Sequence, residues 1–183
     1  MAGRRLYIIA GCNGAGKTTA ARQSLLDDLQ CSHWVSDDDI AYSLSPQAPE
    51  QAFARAARMM IERIGLLLDQ GETFALETTL APRCFSRTVM QARQQGYVVS
   101  LLFFHLPSPQ AAIDRVSQRV SQGGRYVPDE VVTRHYHAGL RNLRQLYMPI
   151  VDRWRIFCIK DDTHQLVAMG RKGETIDLER LAI

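Results

Sequence analysis

The chain has 183 residues, a length that suits one compact domain with a real core and no need of disulfide staples. Hydrophobic residues make up 46%, which excludes a disordered chain, and the longest apolar run, Tyr97 to Leu106, is interrupted and far short of a membrane span. A formal net charge of +3 suits local phosphate handling and is too small to argue for duplex nucleic-acid binding.

In chain order, Leu6 to Ala10 is a short apolar run ending at a glycine and reads as the first strand. The run is too short for a signal-peptide core and leads straight into a glycine loop, so the expected location is the cytoplasm, with no membrane partner. Lys17 to Leu29 is helical, and His33 to Ser36 is a second strand followed by Asp37, Asp38 and Asp39. Gln51 to Gln70 repeats apolar residues at helical spacing, with Gly71 as a C-terminal stop. Thr73 to Leu76 forms a third strand, Pro82 to Gln95 a helix, and Tyr97 to His105 a fourth strand with the unbroken apolarity of a strand covered on both faces. Pro109 to Val120 is helical until Gly123 and Gly124 break it, and Pro128 opens a helix to about Tyr147. Trp154 to Ile159 is a fifth strand, and Gln165 to Met169 is the candidate for a short sixth.

Strands separated by helices predict an α/β fold: a mostly parallel sheet of five or six strands with helices on both faces. One domain over 1–183 is expected, with Ser121–Pro128 as its most mobile internal segment. The four cysteines, Cys12, Cys31, Cys84 and Cys158, have neither a CxxC pair nor metal-ligand spacing, so four reduced thiols are expected; Cys12, inside the glycine loop, is a candidate for exposure.

Gly11, Cys12, Asn13, Gly14, Ala15, Gly16, Lys17 and Thr18, followed by Thr19, match the phosphate-binding pattern GxxxxGK[ST] in full, between a strand and a helix. The glycines turn backbone N–H groups toward one point, and the helix N-terminus adds partial positive charge. Lys17 is placed for the β- and γ-phosphates, and the Thr18 hydroxyl for Mg²⁺. The pattern predicts nucleoside-triphosphate binding without naming the chemistry that follows.

The rest of the chain narrows the choice. Asp37, Asp38 and Asp39 fall where the second strand ends, the side on which open α/β sheets bind ligands. One of the three can serve as general base and another can cap the following helix; the alternative is that all three are capping and solvated. Glu77 and Thr79 end the third strand on the same side, as substrate or metal-water contacts or as a helix cap. Arg115 and Arg119 share a helix face, and Arg125 follows the double glycine, an arrangement suited to a lid that brings cations to a migrating phosphoryl group. Arg134, early in the next helix, is a candidate for the substrate cleft, whereas His135 and His137 read as surface or packing residues.

Together GCNGAGKTT (11–19), VSDDDIA (35–41), FALETTLA (74–81), RVSQRVSQGGRYVP (115–128) and the run from Arg134 to Trp154 resemble the zeta-toxin-like P-loop kinases. The resemblance is greatest to the small branch labelled predicted ATPase or UDP-N-acetylglucosamine kinase. It implies a three-layer P-loop NTPase fold of the kinase type, with a lid-like segment at about 115–128. ATP or GTP is the implied co-substrate with Mg²⁺, and the γ-phosphoryl group goes to a hydroxyl of a small molecule, a UDP-N-acetyl sugar above all. It also implies Asp38 as general base, Glu77 and Thr79 as substrate contacts, Arg119 and Arg125 as γ-phosphate or lid arginines, and an antitoxin protein as a possible partner. Ser36 stands where this branch usually has asparagine, and Arg125 where it usually has histidine. Two alternatives remain: a kinase of nucleic-acid 5′-hydroxyls, disfavoured by the modest charge, and a nucleotide-dependent switch or ATPase.

Overall fold

A computed structural model describes residues 3–20, 31, 33–160 and 163–176. Six strands form one sheet in the order β2-β3-β1-β4-β5-β6. They are β1 (Arg5–Gly11), β2 (His33–Val35), β3 (Phe74–Thr78), β4 (Val98–His105), β5 (Arg153–Lys160) and β6 (Thr163–Arg171). The first five run parallel, and β6 returns antiparallel along β5. The helices are α1 (Lys17–Ala20), α2 (Asp37–Leu44), α3 (Phe53–Gln70), α4 (Phe85–Gln94), α5 (Pro109–Ser121) and α6 (Asp129–Asn142). The remainder of the helix expected from Lys17 to Leu29, beyond Ala20, lies outside the described residues.

Burial on β1 follows the two-residue period of a strand. Leu6, Ile8 and Ala10 enter one apolar cluster with Met60, Ile64 and Leu67 of α3 and Phe85 and Val89 of α4. Tyr7 and Ile9 enter another with Ala112 and Val116 of α5 and Val132 and Tyr136 of α6. Both faces of the sheet are therefore covered, which explains why β4 is apolar almost throughout. This is the mostly parallel, three-layer α/β architecture that the alternating sequence predicts.

Local chemistry moved several boundaries. Pro49–Ala52 forms a 3₁₀ turn before α3, so the long helix starts at Phe53 rather than Gln51. Gly71 ends it in the left-handed conformation, its N–H returning to Leu67 and Leu68. α4 starts at Phe85, three residues after Pro82, because the Pro82 carbonyl is held by the Tyr147 hydroxyl at 3.1 Å. The last long helix ends at Asn142 and passes into a π-helical turn, Leu143–Tyr147. β1 lies between β3 and β4, so the chain turns to opposite sides of it, and a crevice opens at the C-terminal ends of these strands. Among the described residues, no helix is long and apolar enough to cross a membrane.

Candidate active site

The loop after β1 is shaped by close packing. A Cβ on Gly11 would collide with the Phe104 carbonyl oxygen, and one on Gly14, at φ 80°, would lie 2.8 Å from the Ala112 carbonyl oxygen. Glycine alone lets the loop approach β4 and α5 this closely. Asn13, Gly14, Gly16, Lys17, Thr18 and Thr19 line a cavity of about 380 Å³. Cys12 and Ala15 instead pack into the core beneath the loop. Cys12 is thus buried, not exposed, and burial pushes its thiol up to about 11 against the pull of Lys17.

Glu77 is the last residue but one of β3, beside this loop. Its carboxylate accepts from the Thr18 hydroxyl at 2.9 and 3.1 Å and lies 3.7 Å from Lys17 Nζ. Lys17 also donates to the Cys12 carbonyl at 3.1 Å. Glu77 therefore caps no helix. Burial raises its carboxyl above the ordinary value against the pull of Lys17 and Thr18, and the Asp38 and Asp39 charges push the same way. The Thr18 hydroxyl and Glu77 carboxylate are hard oxygen donors at the phosphate end of the loop, a set that fits Mg²⁺.

The three aspartates divide as one helical turn requires. Ser36, and none of the aspartates, is the N-cap of α2: its hydroxyl accepts from Asp39 N at 3.3 Å. Asp37 and Asp38 line the loop cavity. Asp37 is exposed as a residue, yet desolvation, the leading cause, and the Asp38 charge raise its carboxyl. Asp38 accepts from the Arg125 guanidinium.

The arginines separate too. Arg115 Nε donates to the Gly14 carbonyl at 3.0 Å and ties α5 to the loop. Arg115 and Arg119 line the loop cavity together with Gln118 and Gln122, glutamines on the same helix face that the sequence reading passed over although their i, i+3, i+7 spacing marks them. Arg125 is held elsewhere, between Asp38 and the Phe53 ring, 3.8 Å above the ring centroid, while Arg119 donates to its carbonyl at 3.0 Å. Thr79 also lines the loop cavity, but Arg134 is exposed on α6, off its walls. His135, expected to be a surface or packing residue, faces Asn13 Oδ1 through Nδ1 at 2.8 Å. No sequence spacing links residues so far apart.

α6 also clamps the loop after β3. Leu80 adopts φ 62°, a strained conformation for a branched residue, while fully buried. Asn142 donates to the Leu80 and Ala81 carbonyls at 2.9 and 3.0 Å, and a Cβ on Gly139 would lie 2.8 Å from the Thr79 carbonyl oxygen. Thr78 and Thr79 are thus set from behind by a helix 60 residues further along the chain.

The AAA_33 domain model, described as an AAA domain, matches residues 6–146. The chain belongs to the AAA_33 family. An uncharacterized protein of Haemophilus influenzae is 28% identical over 126 residues, covering 69% of this chain and 88% of that protein. Three solved structures share the fold at low identity. A chain of the AvrRxo1-ORF1:-ORF2 complex with ATP aligns at TM-score 0.74 and 20% identity over 98% of this chain. This chain spans only 62% of that one. A chain from the PezAT toxin–antitoxin system of Streptococcus pneumoniae aligns at 0.68 and 18%, covering 92% of this chain and 72% of its own. A gluconokinase from Sinorhizobium meliloti aligns at 0.51 and 10%, covering 86% and 83%. This member of AAA_33 has a P-loop kinase-like fold.

Proposed function

We propose that the chain is a kinase that transfers the γ-phosphoryl group of ATP or GTP to a hydroxyl of a small-molecule acceptor. The observation that carries this reading is the convergence, around one cavity, of the P-loop, Thr18 beside Glu77, the Asp37–Asp38 pair and Arg119. Nucleotide binding with Mg²⁺ accounts for Glu77 beside Thr18 but not for a further carboxylate, Asp38, lining the same cavity.

In this reading the loop N–H groups and Lys17 hold the β- and γ-phosphates. Mg²⁺, held by Thr18 and by Glu77, would neutralise charge on the phosphate oxygens. Asp38 takes the proton of the acceptor hydroxyl as its oxygen bonds to the γ-phosphorus, and the bond from that phosphorus to the departing nucleoside diphosphate breaks. Arg119 and Arg125 meet the charge that develops on the transferring group. Thr79 and Glu77 contact the acceptor, whereas Arg134, exposed on α6, stands off the walls of the cavity.

The acceptor proposed is a UDP-N-acetyl sugar, from the motif resemblance. The PezAT neighbour and the AvrRxo1 complex support an antitoxin-like protein as partner, and the cytoplasm is the proposed location. Mass spectrometry of a reaction with Mg²⁺, ATP and a panel of UDP-N-acetyl sugars tests the assignment. A gain of one phosphate on a sugar nucleotide, lost in Lys17→Ala and Asp38→Asn, is the expected result. Release of free phosphate alone, insensitive to Asp38→Asn, would remove the kinase reading.

A further inference from the structure

A second cavity, about 680 Å³, opens between the stretch from α2 to α3 and the segment that joins α5 to α6. It shares Tyr42, Pro49, Phe53 and Arg125 with a smaller space of about 250 Å³ lined by Asp38, Thr18 and Arg119. A molecule that extends from the larger cavity into the smaller space therefore reaches the carboxylate assigned as base. The volume lies within the range of about 300–1,000 Å³ usual for small-molecule sites. Of the 3₁₀ turn and α3, only Pro49 and Phe53 border this cavity.

Three aromatic rings, Tyr42, Phe53 and Tyr126, line it with prolines and the Gly123–Gly124 backbone. Pro46, Pro49, Phe53 and Tyr42 come from the stretch from α2 to α3, and Tyr126 from the α5–α6 segment. Four of the six tyrosines, Tyr7, Tyr97, Tyr136 and Tyr147, are buried, whereas Tyr42 and Tyr126 are 62% and 65% exposed. Two exposed aromatic faces bordering one cavity, beside a reacting centre, are platforms for stacking. The charge inventory points the same way. Among the described residues lining the cavity, Arg125 alone is charged, and Asp38 and the Phe53 ring already engage its guanidinium. A row of phosphates would find no row of cations here, but a planar ring finds faces.

We propose that this cavity takes a planar heteroaromatic ring of the phosphoryl acceptor, stacked on Tyr42 and Tyr126, with a hydroxyl of the attached sugar presented to Asp38. The inference rests on the kinase reading and adds that the ring, rather than the sugar or its phosphates, is what the site grips. Such a ring comes from a free nucleoside or from a sugar nucleotide.

Binding measured without turnover separates this inference from the kinase reading. Saturation-transfer NMR would use the full chain, its P-loop filled by a non-hydrolysable ATP analogue. The probes are uridine, UDP-N-acetylglucosamine and the base-free N-acetylglucosamine 1-phosphate. The expected result is binding of one or both uracil-bearing probes, with the strongest transfer to the ring protons and weaker binding of the base-free probe. Tyr42→Ala and Tyr126→Ala should each weaken uracil-probe binding by about five- to a hundredfold. Tyr42→Phe and Tyr126→Phe keep the ring and should keep the binding. Both tyrosines are exposed, so the alanine variants are expected to fold, which their melting temperatures check. Base-free probe bound as well as the others, alanine variants that bind like the parent, or no binding of either uracil probe would each overturn the inference. Uridine bound without the UDP sugar identifies a nucleoside acceptor, and both bound identifies a sugar nucleotide; either supports the ring-binding cavity. Failure of the kinase reading would be seen elsewhere, in the absence of phosphoryl transfer.

Discussion

Arg125 illustrates how one side chain joins the two halves of the site. Its guanidinium lies over Phe53 and against Asp38, outside the lining of the P-loop cavity, and its carbonyl is held by Arg119. Because it touches the proposed base and not the phosphate cradle, Arg125→Ala is expected to lower kcat by about 10²-fold while leaving the affinity for ATP nearly unchanged. Steady-state kinetics with ATP as the varied substrate checks this; a rise in the KM for ATP at constant kcat would assign Arg125 to nucleotide binding. His135 gives a pH signature. Burial, and then the charges of Arg134, Lys17 and Arg125, lower its pKa below the ordinary value of about 6.5. The folded state thus binds fewer protons than the unfolded chain, and this contribution to stability is lost as pH falls below about 6.5 toward the lowered value. In urea unfolding, His135→Gln should therefore gain stability relative to the parent at pH 5.5 compared with pH 8. A stability difference that stays constant with pH would contradict this.

At the scale of elements, the alternation of apolar residues and the punctuating glycines made the six strands, the long helix and its stop at Gly71 legible in the sequence. So was the P-loop, because its glycine spacing is a local pattern, although the contacts that demand glycine at Gly11 and Gly14 come from β4 and α5. What stayed hidden depended on partners distant in sequence. Ser36 is the cap of α2 only because the chain turns there, and three aspartates in a row masked it. Cys12 is buried because β4 and α6 cover it, which no local pattern encodes. The role of Asn142 belongs to the same class: it bonds two carbonyls about 60 residues earlier and holds Leu80 in a left-handed conformation. Asn142→Ala would leave these acceptors unsatisfied in a buried place, so a loss of about 1–3 kcal/mol in urea unfolding is expected. A change below about 0.5 kcal/mol would mean that the loop after β3 supports itself.

For the whole molecule, the sheet order puts the loops after β1, β2 and β3 on one edge, so residues from three strand ends and one helix face meet without any long connection. Ligand binding should be felt across this assembly. At a concentration of ATP about 100 times its Kd, a site present only in the folded state adds about 2.7 kcal/mol to stability. A rise in melting temperature with MgATP, absent in Lys17→Ala, is the expected outcome, and an equal rise in that variant would place nucleotide outside the P-loop. The central claim is that Asp38 serves phosphoryl transfer to an acceptor hydroxyl rather than nucleotide binding. Its most direct test is the single-turnover rate of transfer from γ-labelled ATP to a UDP-N-acetyl sugar in the parent and in Asp38→Asn. The account expects transfer by the parent and a fall of about 10²–10⁴-fold in the variant at unchanged ATP affinity. Equal rates in the two proteins, or label released only as free phosphate in both, would contradict it.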